Sequence, residues 1–127
     1  MSSPKFELVK KRNPGLAPLL DRMAAYVREQ IRAGEKFIVP KLGAAKLGLN
    51  DGEAFVLLEL LTKGEVLRRV YNVYCRRNDM LLATVDSIEA LGDIPHCDYC
   101  DADHDISGLK VEVAFVPNDD ELRNMAA

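Results

Sequence analysis

Three cysteines and His104 in the C-terminal half constrain this chain more than any other feature. Cys97 and Cys100 form a C-x2-C knuckle within Pro95-His96-Cys97-Asp98-Tyr99-Cys100. Cys75 lies upstream, at the end of a strand-like stretch, and His104 follows the knuckle. Soft thiolate ligands with one imidazole suit tetrahedral zinc, and a closed set of four protein ligands is a structural site rather than a catalytic one. Cys75, Cys97, Cys100 and His104 are therefore the expected ligands. His96 and Asp79 are the other candidates for the fourth position. The competing expectation is a segment without metal, its Cys75 packed as a small apolar residue.

The chain has 127 residues, enough for one domain or two small ones sharing a core. Its 48% hydrophobic and 29% charged residues are an ordinary globular balance. No apolar run reaches the roughly 20 residues of a spanning helix. Met1-Ser2-Ser3-Pro4-Lys5 carries no apolar signal core, and an odd number of cysteines fits a reducing compartment, so the expected location is cytoplasmic. A net charge of −3 disfavours non-specific nucleic-acid binding by the chain as a whole.

The first stretch, Lys5 to Lys11, reads as a short strand or an arm, broken by Asn13-Pro14-Gly15. From Leu16 to Ala33, Leu19, Leu20, Met23, Tyr26, Val27 and Ile31 repeat at helical spacing. Phe37 to Pro40 is β-like, and Lys41 to Leu47 is a short helix of small residues. After the Gly48-Leu49-Asn50 turn, Asp51 and Glu53 open a helix that is apolar over most of its circumference, which predicts burial on more than one side. Gly64 ends it. Val66 to Cys75 and Leu81 to Val85 read as strands, Asp86 to Gly92 as one helical turn, and Leu109 to Val116 as a closing strand. The fold class is α+β. The division is 1–74 as a helical domain with an N-terminal arm, 75–117 as a small β unit, and 118–127 as a flexible polar tail.

The run Phe37-Ile38-Val39-Pro40-Lys41-Leu42-Gly43-Ala44-Ala45-Lys46-Leu47-Gly48-Leu49, with the helix and strand after it, resembles a winged helix-turn-helix. The strand ending in Cys75, the C-x2-C knuckle and the final strand resemble a zinc ribbon. Together they look like the winged-helix-plus-zinc-ribbon modules of prokaryotes, found in archaeal transcription factors and as accessory modules of antiviral defence systems. The resemblance implies zinc as cofactor and covers Leu16 to Pro117. A ribbon has two knuckles; here Asn78 stands where the first needs its second cysteine, which makes the ribbon degenerate.

In a helix-turn-helix the second helix enters the major groove. Here it begins with Asp51 and Glu53, two carboxylates facing phosphates with the wrong sign, and it contains no arginine, asparagine or glutamine. That argues against base readout. Basic residues group elsewhere: Lys10, Lys11 and Arg12 (beside Lys5) in the arm, and Arg68, Arg69, Arg76 and Arg77 at the ends of the wing-like strand. They are either phosphate contacts or solvated strand ends. No nucleophile motif, glycine-rich phosphate loop or H-E-x-x-H is present, and the residues after Cys100 are loop-like where a redox C-x2-C needs a helix.

The expectation is a non-catalytic adaptor, a small accessory subunit that binds a larger effector protein through Tyr99, Asp51, Glu53 and Glu59. The alternative is a DNA-binding transcriptional regulator that uses the basic wing and arm. A homo-oligomer packing its apolar helix across a twofold axis is the third.

Overall fold

The computed structural model describes residues 3–93, 108–118 and 121. Among them the fold is α+β: α1 (Pro4–Arg12), α2 (Ala17–Arg32), α3 (Pro40–Leu47), α4 (Asp51–Lys63), and strands β1 (Leu67–Cys75), β2 (Leu81–Val85) and β3 (Leu109–Pro117), arranged antiparallel in the order β2-β1-β3. The chain divides into two compact units: Met1–Arg68 with Phe115–Ala127, and Arg69–Ala114. No helix of the described residues is long and apolar enough to cross a membrane.

The first unit is helical. Its N-terminal stretch is α1, not the strand or arm that the sequence suggested. Ser3 Oγ accepts the Phe6 N–H at 3.1 Å, and Pro4 occupies the first turn, where its missing N–H costs nothing. Glu7 sits near the positive end of the helix and Lys10, Lys11 and Arg12 at the negative end. Phe6 and Val9, three residues apart, bury one face. Asn13 closes the helix: its N–H and its Nδ2 both donate to the Val9 carbonyl. A short 3-10 turn, Pro14–Leu16, leads into α2.

Helix α2 buries Leu20, Met23, Ala24, Tyr26 and Val27 on one stripe. Helix α3 packs on it through Gly43, where a Cβ would lie 3.3 Å from Tyr26 Cε2. Gly48, at φ 70°, stops α3, and a capping box starts α4 three residues later. There Glu53 N–H donates to Asn50 Oδ1 at 2.8 Å, and Asn50 N–H donates to Glu53 Oε1 at 3.0 Å. Ala54, Leu57, Leu58 and Leu61 form the buried stripe of α4. The opposite side is open: Val56 is 51% exposed, where the near-complete apolar circumference predicted burial on more than one side. Phe55 meets Phe115 edge-to-face at 6.0 Å. Ile38, fully buried, exchanges two backbone hydrogen bonds with Phe115, so the expected β-like piece is a single bridge.

Two consecutive residues end α4 for different reasons. Gly64 has an ordinary φ, but a Cβ there would collide with Val9 Cγ2 of α1. Glu65 carries the left-handed conformation at φ 62°. Its N–H donates to Thr62 O and the Val66 N–H to Leu61 O, the bond pair of a Schellman ending with a glutamate in glycine's usual place. Of the C-terminal segment expected to be a tail, Asn118 Nδ2 donates to the Glu65 carbonyl, and Glu121 is buried with its N–H on Asn118 O. The rest of that segment lies outside the described residues.

The second unit is built on the sheet. β1 and β2 pair with Tyr71 opposite Val85, Asn72 opposite Thr84 and Val73 opposite Ala83, then a bulge between Val73 and Tyr74 shifts the register. Asn72 is buried, and Thr84 Oγ1 donates to its Oδ1 at 2.6 Å. A buried amide costs little only when paired in this way. A turn at Arg76 to Asn78 follows β1, and Ile88–Asp93 is a 3-10 helix.

Candidate functional site

Of the residues singled out for metal binding, Cys75 and Asp79 lie among the described residues. Cys97, Cys100, His104 and His96 lie outside the described residues, as does Tyr99. Cys75 ends β1 fully buried, with its N–H on Met80 O at 2.9 Å and its carbonyl accepting the Asp79 N–H at 2.8 Å. Asn78, in the position a second cysteine would occupy, accepts the Met80 N–H through Oδ1 at 3.1 Å. Asp79 adopts φ 56° and faces Lys110 Nζ at 3.8 Å. Backbone and side-chain hydrogen bonds thus close this turn, and its amide oxygen is already engaged. Among the described residues no cluster of three or more histidines, cysteines or carboxylates is assembled.

The basic residues are spread over both units. Lys10 Nζ lies 3.0 Å from Asp21 and 3.2 Å from Glu7, and the hydrogen bond to Asp21, then that to Glu7, hold its pKa above the ordinary 10.5. Its charge is spent within the helical unit. Lys11 and Arg12 are exposed at the end of α1. Arg68 belongs to the first unit and Arg69, Arg76 and Arg77 to the second. Arg69 lies 6.0 Å from the centre of the Tyr71 ring, and Arg76 Nη2 donates to Leu109 O at 3.0 Å.

The acidic residues lie at the start of α4. Asp51 and Glu53 are exposed, and Glu59 is half-buried further along. Glu53 works first for the helix itself, through the capping box. Beside this end is a groove of about 460 Å³, lined by Leu16, Leu19, Val56 and Leu57 with Gly52, and edged by Asn50 and Glu53. Its size matches pockets that take several apolar side chains or a small molecule. The start of α4 therefore carries an apolar hollow with Glu53 in its lining, and exposed Asp51 lies two residues before it in sequence.

The sequence reading did not find this groove. Leu19 counted there as part of the buried stripe of α2, yet Leu20 takes the core position and Leu19 is left half-buried beside α4. The available signal was excess: two adjacent leucines in α2, and more apolar residues in α4 than one buried stripe needs.

Comparison with protein-family models, with curated proteins and with solved structures finds no match.

Proposed function

We propose that this chain is a non-catalytic protein-interaction module, a small adaptor that serves beside a larger effector. The observation that carries the reading is the outer side of α4. It offers the apolar groove and two carboxylates where a nucleic-acid reader needs arginine, lysine or amides. Apolar surface rimmed by polar residues is the usual make-up of a protein contact.

The winged-helix resemblance gains support from the order of elements. Helix α2, the Ile38 bridge to Phe115, α3, a three-residue turn, α4 and β1 follow one another as that motif requires. A prokaryotic accessory module of defence or regulation is the setting we infer by analogy from this fold, since a fold alone does not fix a function. In the ribbon-like reading of the second unit, zinc is a closed structural ion on Cys75, Cys97, Cys100 and His104, and Tyr99 is a second protein contact.

A duplex-DNA column in low salt tests the reading. The full chain is expected to pass unretained. The regulator alternative is favoured by the exposed Arg68, Arg69 and Arg77. It requires salt-sensitive retention that disappears when Arg68, Arg69, Arg76 and Arg77 become alanine, because phosphate contacts release counterions.

A further inference from the structure

The groove beside α4 has a complement on the same chain. On α1, Leu8, Lys11 and Arg12 stand at i, i+3 and i+4 and so share one face of the helix. Leu8 is 44% exposed, and Lys11 and Arg12 are exposed beside it. This face is apolar at its centre and basic at its edge. The groove is the reverse: apolar Leu16, Leu19, Val56 and Leu57 with Glu53 in its lining, and exposed Asp51 at the first position of the same helix.

We propose that the occupant of the groove is a second copy of this chain. Leu8 of one protomer enters the groove of the other, and its Lys11 and Arg12 meet the partner's acidic edge. The proposal rests on the reading of the α4 surface as a protein contact and names this chain as the partner there, so a larger effector would meet the dimer at another surface. Charge complementarity selects the occupant: like faces repel, and the basic α1 face fits the acidic groove. Both surfaces lie on the helical unit: α1 meets the far end of α4, where Val9 lies against Gly64, and Leu16, four residues beyond the end of α1, lines the groove. Two complementary patches on one unit can both be satisfied by one twofold contact, which closes as a dimer instead of extending as a filament.

Light scattering of the full chain over a concentration series tests this. The mass is expected to rise from the 14.1 kDa of one chain toward twice that value, and to fall back in high salt. Leu8→Glu places a carboxylate in the acidic groove, and Asp51→Lys sets a cation against Lys11. Each is expected to weaken association by about tenfold or more. Lys11→Glu combined with Asp51→Lys restores the pairing in reverse and should recover association relative to either variant alone. All three positions are exposed, so circular dichroism should show native helix content in every variant. A chain that stays at 14.1 kDa throughout, a dimer untouched by Leu8→Glu, or a double variant no better than the single ones overturns the proposal. The same samples are run on duplex DNA in low salt. A monomer that DNA does not retain removes the dimer alone, and a monomer that DNA retains removes the protein-contact reading with it.

Discussion

Gly64 and Glu65 divide between them a task that one glycine usually performs. Position 64 has no room for a Cβ because Val9 of α1 fills the space, while position 65 bears the left-handed turn. Gly64→Ala is expected to destabilise the helical unit by about 1–3 kcal/mol through overpacking. Val9→Ala in the same chain should return part of that loss, and a double-mutant cycle in urea measures the coupling. Glu65→Gly should stabilise by about 1 kcal/mol, since a left-handed non-glycine residue costs roughly that much; an unchanged or lower urea midpoint would count against the Schellman assignment. The sequence placed the helix stop correctly at Gly64, but the reason for glycine there is α1, a partner distant in sequence that no local pattern displays.

Among the described residues, three side chains hold raised pKa values at the alkaline end. Burial, followed by the charges of Glu35 and Glu29, raises the pKa of Tyr26 above 10.0. Burial, then Glu112, raises that of Tyr74 against an opposing hydrogen bond with Asn72. Lys10 is raised by its hydrogen bonds to Asp21 and Glu7. In each case the folded state holds its proton more tightly than the unfolded chain. Their contribution is therefore complete below about pH 10 and is lost as pH rises through the raised values. Urea midpoints should hold steady from neutrality to that point and then fall. Tyr26→Phe should flatten the fall, and an unchanged slope would contradict the assignment.

At the scale of elements, amphipathic period and punctuation made most of the chain legible. The α2 stripe, the Gly48-Leu49-Asn50 turn with the acidic residues after it, and the β-rich runs from Val66 to Cys75 and from Leu109 to Val116 are local signals, and each element stands where its signal lies. α1 was missed because seven residues with alternating charge and apolar character satisfy a strand pattern as well as a helical one. Ser3 and Pro4, the residues that decide the matter, lie just outside that window. The groove was missed for a related reason. Periodicity tells which residues are apolar, not which of two adjacent leucines takes the core. Cys75 was legible as the end of a strand, while the closure of its turn through Asn78 depends on a side-chain hydrogen bond that the residue's identity permits without dictating.

For the whole molecule, the zinc expectation and the nature of the partner are the open quantities. Metal analysis of purified protein addresses the first. A closed Cys75, Cys97, Cys100 and His104 site predicts about one zinc per chain, with Cys97→Ser losing it. A content near zero removes the metal and leaves the turn after β1 to its own hydrogen bonds. The second is the central matter, because the proposed protein contact rests on the carboxylates and the groove at the start of α4. The most direct measurement is affinity purification of the tagged chain from its own cells, with and without nuclease, followed by identification and quantification of what accompanies it. A protein recovered in stoichiometric amount that survives nuclease, and whose yield does not depend on Arg68, Arg69, Arg76 and Arg77, is the predicted result. Association that disappears with nuclease, or with those four arginines, would contradict it.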